Sequence, residues 1–337
     1  MSATTMLLPR APLRDVLLGR APLVGSRCDP AAPRGLVSPI EARIHLGLRY
    51  EDPVEEERRR LARTGPRETF SLVLRTALAE TLWPSGGKRP LQRPFIVSTA
   101  VDNITVAEAL EAVFTRRVPG RATMIHFVHP HALTLAAFDR EHAGLLERAD
   151  LRLPDGVGLR LAAALLDVQL ADNVNGTDLL PLLCREAARR HLPMVLIGGA
   201  PGVAARCAAR LVEGTPELAI AFTEHGYHDD DASRAVAERV RALGRAVVLV
   251  GMGSPVQERW AWRHLASAED AAVLTVGGLF DFYSGRIPRA PEAVRELGLE
   301  WAHRLAQEPR RLGKRYLLGN PLFVALVLTQ RLRGPEP

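Results

Sequence analysis

The alternation of apolar and polar positions changes character once along this chain. From Pro94 onward, short unbroken apolar runs recur at Phe95–Ser98, Thr123–Val128, Leu151–Leu153, Met194–Ile197, Leu218–Phe222, Val247–Val250 and Val273–Val276. Between them lie stretches of helical length and spacing: Val106–Arg116, His131–Glu147, Gly158–Leu166, Asp178–His191, Val203–Val212, Asp231–Leu243 and Val256–Ala266. A short run that is apolar throughout suits a strand covered on both faces, and an intervening helix supplies the crossover that parallel strands require. The fold class this predicts is α/β, a Rossmann-like, mostly parallel sheet with helices on both faces. A C-terminal helical, basic appendage and an N-terminal, partly disordered and partly helical extension complete it. The expected boundaries are residues 1–93 for the extension, 94–300 for the α/β core and 301–337 for the appendage.

Before Pro94 the pattern is weaker. Met1 to Val37 is rich in Pro, Arg and Gly without a period, which predicts a flexible segment. Pro53 to Trp83 predicts a helix broken at Gly65-Pro66, with an apolar stripe at Phe70, Leu72, Leu74, Leu78 and Leu82. Pro84-Ser85-Gly86-Gly87 reads as a linker.

Composition narrows the class. An apolar share of 47% with 24% charged residues indicates a globular chain. The formal charge of +6 gathers at one end: from Trp301 onward stand Arg304, Arg310, Arg311, Lys314, Arg315, Arg331 and Arg333 against only Glu308 and Glu336. Such a concentration points to phosphate groups or an anionic membrane surface. Nucleic acid is not expected as a partner, because the basic stretch is short and interrupted by apolar residues. Cys28, Cys184 and Cys207 have neither metal-ligand nor disulfide spacing, which fits a reducing cytoplasmic compartment. No stretch reads as a secretory signal or a spanning helix. Pro321 to Thr329 is apolar and flanked by arginines, which suits either a helix in a membrane interface or one docked on its own domain.

In a parallel sheet, ligands bind beyond the carboxyl ends of the strands. Four expected strands end in glycine-bearing loops there: Pro154-Asp155-Gly156-Val157-Gly158, Gly198-Gly199-Ala200-Pro201-Gly202, Gly251-Met252-Gly253-Ser254-Pro255 and Gly277-Gly278-Leu279-Phe280-Asp281. Together they suit a backbone-lined nucleotide crevice. Asp155 is the best placed base for an attacking hydroxyl, although an Asp-Gly turn or a helix cap explains it equally simply. Asn175, Gly176, Thr177 and Asp178 precede a helix that they could cap, or they could touch sugar hydroxyls. Gln257 can both donate and accept for a base or sugar, while Glu258 suits the dipole of the helix it opens. His126 can be a satisfied core histidine. His225, His228 and Asp229-Asp230-Asp231 suggest a metal only superficially, since the acidic run more simply starts a helix. No metal site and no cofactor are expected.

These motifs follow one another in a recognisable order. Asp155-Gly156-x-Gly158, Asn175-Gly176-Thr177-Asp178-Leu179, Gly198-Gly199, Gly251-x-Gly253-x-Pro255-x-Gln257-Glu258, Gly277-Gly278-x-Phe280-Asp281-x-x-x-Gly285, Arg289-Ala290-Pro291 and Glu300-Trp301-x-x-Arg304-Leu305-x-x-Glu308-Pro309-x-Arg311 resemble the WecG/TagA/CpsF glycosyltransferases from about Pro94 to Arg315. The resemblance implies metal-independent, inverting transfer of a hexose-type sugar from a UDP-sugar to a polyprenyl-diphosphate-linked saccharide, by a peripheral protein on the cytoplasmic face of the membrane. N-acetylmannosamine, its uronic acid, glucose and glucuronate are the candidate sugars, and a homo-oligomer is left open. It implies Asp155 as the base and Arg304 and Arg311 as cations that meet the diphosphate, with Lys314 where an arginine is often found. Gly198, Gly199, Gly253, Gln257, Gly277, Gly278 and Asp281 fall in its nucleotide-binding loops. His129-Pro130-His131 stands where members often carry Thr-x-Asn, which puts His129 and His131 among the acceptor or diphosphate contacts and marks a departure there. The readings from other classes are an NAD-dependent Rossmann oxidoreductase and a non-catalytic scaffold of a polysaccharide assembly. The first lacks a Gly-x-Gly-x-x-Gly fingerprint with its acidic partner after the first strand.

Overall fold

The computed structural model describes residues 8–46, 52–82 and 91–334. They belong to two compact units, one of Met1–Gly86 with Ala290–Ala306, the other of Gly87–Arg289 with Gln307–Pro337. Trp83 and the Pro84–Gly87 stretch lie outside the described residues.

The larger unit is built on a sheet of six parallel strands in the order β4-β3-β8-β7-β5-β6. These are β3 (Thr123–Val128), β4 (Leu151–Pro154), β5 (Met194–Gly198), β6 (Ile220–Glu224), β7 (Val247–Gly251) and β8 (Ala272–Thr275). Successive side chains of a strand leave opposite faces, and the apolar runs supply both. Met194 and Leu196 of β5, Val247 and Leu249 of β7, and Leu274 of β8 enter one buried cluster with helices Val106–Thr115, Gly176–Arg189 and Val203–Gly214. Val195, Ile197, Val248, Val250 and Val273 enter the other, against helices Asp230–Leu243 and Val256–Leu265. A mostly parallel sheet with helices on both faces is therefore what the chain forms.

Two expectations need correcting in this unit. Phe95–Ser98 is not a strand of the main sheet. It splits into β1 (Phe95–Ile96) and β2 (Thr99–Ala100), an antiparallel pair. The turn between them holds Val97 at φ 61, where a β-branched side chain is strained. Its amide donates to Gln330 Oε1 at 2.8 Å. The helix expected over His131–Glu147 is two helices, Pro130–Phe138 and Arg140–Glu147. Asp139 is extended and caps the second by accepting from His142 N at 3.1 Å. The basic residues from Arg304 to Arg315 are spread over successive short helical elements. Helix Glu300–Gln307 stops before Pro309, whose ring cannot continue a helical hydrogen-bond ladder, and Pro309–Gly313 leads into a wide turn at Lys314–Leu318.

The last helix, Gly319–Arg333, docks one face on its own unit, one of the two readings of Pro321–Thr329. Phe323 and Val327 are buried in a third cluster with Ile96, Leu133, Leu159 and Ala162. Leu322, Leu328 and Leu332, with Leu317 and Leu318 of the preceding turn, are exposed. Among the described residues no helix is long and apolar enough to cross a membrane.

In the smaller unit, residues 24–37 fold back on themselves through bridges at Val24–Val37 and Ser26–Arg34. Two helices follow at Pro53–Leu61 and Pro66–Leu82, with the break at Gly65-Pro66 as expected. The buried face of the second helix is Leu72, Thr76 and Ala79, whereas Phe70, Leu74 and Leu78 are exposed. The apolar stripe read from the sequence therefore mixed two faces, because residues 70, 74 and 78 lie about half a turn from 72, 76 and 79. Glu296 is buried and receives Arg60 Nη1 at 2.6 Å and Arg75 Nη1 at 2.8 Å. Burial still pushes its carboxyl above the usual range against the pull of both cations.

Candidate active site

Because all six strands run parallel, their carboxyl ends share one edge of the sheet, and the loops that leave it stand in the strand order. Asp155 follows β4, His129 follows β3, Gly277 follows β8, Gly251 ends β7, Gly198 ends β5 and His225 follows β6.

The β4 and β3 ends are joined directly. Val128 pairs with Pro154, and Asp155 N donates to Val128 O at 2.8 Å. Asp155 is half-buried. The next residue, Gly156, has φ 92, a region that only glycine enters without strain. Its amide donates to Asn173 Oδ1 at 2.8 Å, and Asn173 is buried. Asn173 was not anticipated, since nothing in its spacing marks it. Gly158 sits against Pro130: a Cβ there would lie 2.5 Å from the proline Cγ. The Asp-Gly-x-Gly loop and the His-Pro-His loop are thus fitted to each other.

His129 caps helix Pro130–Phe138, its Nδ1 accepting from Ala132 N at 3.0 Å. His131 stacks parallel to it, ring centroids 6.1 Å apart. Arg315 comes to this pair from the far end of the chain, its Nη2 3.5 Å from His129 Nε2. Burial, with Arg315 in support, lowers His131 to about 4, so its ring is neutral at ordinary pH. Arg315, one of the cations of the basic C-terminal stretch, thus reaches the His-Pro-His loop. Arg311 is turned to Glu308, with Nε 2.8 Å from Oε1. Lys314 is exposed at the start of the wide turn. Arg304 lies on helix Glu300–Gln307 within the other unit.

At β5, β7 and β8 the glycines bring main chain against main chain. A Cβ on Gly198 would meet Gly251 O at 2.2 Å. Gly199 N donates to Gly251 O at 2.9 Å, and Gly226 N to Gly199 O at 2.9 Å. Gln257 is buried, and its Oε1 accepts from Gly253 N at 3.1 Å and from Gly277 N at 2.8 Å. The amides of Gly199, Gly253 and Gly277 therefore tie the ends of β5, β7 and β8 to one another. Gly278 precedes helix Leu279–Tyr283 as its cap residue. Asp281 is buried and paired with Arg286 Nη1 at 2.7 Å.

Asn175 caps helix Gly176–Arg189 by accepting from Asp178 N at 2.8 Å. Gly176 packs near Phe127 and Leu279. Asp178 Oδ1 is 2.8 Å from Arg289 Nη2, and Thr177 O accepts from the Tyr283 hydroxyl at 2.7 Å. Burial pushes the Tyr283 phenol up, so it remains a donor. This cluster ties the Asn-Gly-Thr-Asp loop to the segment that follows β8.

The remaining candidates are structural in the contacts they make. His126 is fully buried; its Nε2 accepts from Trp262 Nε1 at 3.2 Å and its Nδ1 lies 2.9 Å from Thr275 Oγ1. Asp229 caps helix Asp230–Leu243 through Ala232 N at 2.8 Å. His225 and His228 stack with centroids 4.5 Å apart. Among the described residues no three His, Cys, Asp or Glu side chains are grouped to hold a metal ion.

The arrangement places a carboxylate after β4, a cation at the residue that follows β3, and closely packed glycines at the ends of β5, β7 and β8. A family model described as the Glycosyl transferase WecG/TagA/CpsF family matches residues 95–337, and the chain belongs to that family. It is an enzyme, a glycosyltransferase that takes a sugar donor and an acceptor.

Proposed function

We propose that this member of the WecG/TagA/CpsF glycosyltransferases moves a hexose-type sugar from a UDP-sugar to a polyprenyl-diphosphate-linked saccharide, with inversion and with Asp155 as the base. The observation that carries the reading is that Asp155 leaves β4 with its amide bonded to the last residue of β3, and that Arg315 reaches His129, the residue that follows that strand. Asp155 takes the proton of the acceptor hydroxyl as its oxygen attacks the anomeric carbon, and the bond to UDP breaks on the opposite side. Charge then builds on the departing diphosphate, where cations near the strand ends lower its energy. The cleft between the loops after β5, β7 and β8 takes the nucleotide. N-acetylmannosamine, its uronic acid, glucose and glucuronate all suit that site.

The C-terminal helix supports the membrane part of this reading. Its outward leucines, with Arg331 and Arg333 at the end, match a surface that sinks into the headgroup boundary of an anionic bilayer. The protein then works as a peripheral protein on the cytoplasmic face, where a lipid-linked acceptor is within reach.

Mass spectrometry of lipid-linked products after incubation with a panel of UDP-sugars tests the reaction. Asp155→Asn is expected to lower transfer by roughly 10²- to 10⁴-fold, the range of a lost general base, with UDP affinity nearly unchanged. Full turnover by that variant would remove Asp155 from the base role.

A further inference from the structure

Gln257 and Glu258 are adjacent in sequence, both buried, and joined to each other: Gln257 Nε2 donates to Glu258 Oε1 at 2.8 Å. The same carboxylate oxygen accepts from Ser254 Oγ at 2.9 Å. Glu258 Oε2 is buried and has no hydrogen-bond partner among the described residues. A carboxylate is expensive to bury, and this one lies near enough to His126 and His142 for its charge to act on both rings.

The bonds it does make decide the orientation of the neighbouring amide. A glutamine amide can present either its oxygen or its nitrogen in a given direction. An acceptor-only carboxylate at Nε2 fixes the choice. The oxygen must then face the other way, where it receives Gly253 N at 3.1 Å and Gly277 N at 2.8 Å. Those two amides belong to the loops after β7 and β8, which are neighbours in the sheet. Ser254, one residue beyond Gly253, is held by the same oxygen.

We infer that Glu258 is a positioning residue for the nucleoside-diphosphate cleft, acting through Gln257 to clamp the loops after β7 and β8 at a fixed separation. It touches neither the donor nor the reacting atoms. Its carboxylate sets the amide, the amide sets the two loops, and the loops set one wall of the cleft. The link to donor binding rests on the proposed placement of the nucleotide in that cleft; the clamp itself does not.

Two measurements separate the two. Hydrogen exchange at the Gly253 and Gly277 amides, followed without any ligand, reads the clamp alone. Glu258→Ala is expected to speed both by about tenfold, the effect of weakening one hydrogen bond. Glu258→Gln retains an oxygen for Gln257 Nε2 and is expected to restore near-native exchange. Steady-state kinetics read the consequence: the alanine variant raises the KM for the UDP-sugar by about tenfold and changes kcat less than KM, because the loops bind rather than react. The glutamine variant brings KM back. Gln257→Met should match Glu258→Ala, and the double variant should be no worse than either, since residues that act as one unit are not additive. Ser254→Ala, which removes one of the two bonds to the carboxylate, gives a milder change in the same direction and serves if the alanine variant does not fold.

Unchanged exchange at both glycines in folded Glu258→Ala or Ser254→Ala overturns the clamp. Additive effects of the Gln257 and Glu258 substitutions overturn it as well. Faster exchange together with an unaltered KM keeps the clamp and instead moves the nucleotide out of this cleft.

Discussion

Gly158→Ala is a sharp perturbation of the proposed base loop because two known effects oppose each other there. Gly158 is the second residue of helix Val157–Leu165, where alanine is favoured over glycine by up to about 1 kcal/mol. Against that, the new Cβ would lie 2.5 Å from Pro130 Cγ, and a proline ring cannot rotate away as a flexible side chain would. To reach an ordinary contact the two loops must part by about 1 Å. Overpacking of this kind costs roughly 1–3 kcal/mol, so the net loss of stability is expected to be about 0–3 kcal/mol. The catalytic cost is larger: a displacement of about 1 Å at a reacting group is worth on the order of 10²-fold in rate, and Asp155 is only three residues away. The expected signature is a folded protein with a modestly lowered urea midpoint and turnover down by about two orders of magnitude. Pro130→Ala in the same molecule removes the ring and should return much of the turnover. Gly144→Ala is the control. It lies within helix Arg140–Glu147 with no atom near enough to contact a Cβ, and it should stabilise slightly with activity intact. Native turnover in Gly158→Ala would show that the fit between the two loops has no bearing on the chemistry.

Further outcomes follow from the last helix and from the buried histidines. Changing Leu317, Leu318 and Leu322 together to serine should abolish binding to anionic vesicles while leaving the urea midpoint almost unmoved, since all three are exposed; Phe323→Ala should do the reverse in kind, lowering stability by about 3–5 kcal/mol through the cavity it leaves. Retained vesicle binding by the triple variant would exclude this helix as the membrane contact. Burial lowers His126 to about 4, below the ordinary value of 6.5, so its contribution to stability is present above about pH 6.5 and is lost as pH falls towards 4. The full span corresponds to about 3 kcal/mol for that ring. Urea melts between pH 6.5 and 5 should therefore flatten in His126→Gln relative to the parent, and an equal slope in both would trace the acid sensitivity elsewhere.

The sheet was legible because its strands are short, mostly apolar and separated by helical lengths. Thr123–Val128 coincides with β3, and Met194–Ile197 and Val247–Val250 each extend by one glycine. What escaped was decided by single polar residues or by distant partners. Asp139 divides a continuous helical pattern because its carboxylate is a better cap than an interior residue, a signal present in Asp139-Arg140-Glu141-His142 but overruled by the surrounding apolar spacing. The bridges at Val24–Val37 and Ser26–Arg34 have no period to betray them. In the candidate site the order of loops was readable, since a parallel sheet delivers every strand end to one edge. The division of labour inside them was not. Gln257 looked like a ligand contact because its side chain can both donate and accept. Only the fold reveals that both functions are spent on Glu258 and two glycines. Arg315 was one cation among several until the chain's return to His129 singled it out.

The approach of Gly198 to Gly251 has a consequence for how this protein can vary. With the would-be Cβ of Gly198 2.2 Å from Gly251 O, and that of Gly251 2.8 Å from Gly277 O, the floor between β5, β7 and β8 is peptide backbone that tolerates no side chain. A surface made that way is deaf to substitution: its shape is inherited with the strands and cannot be retuned one residue at a time. Any drift towards a different sugar must therefore be written outside that backbone floor, where a side chain can change without prising the strands apart.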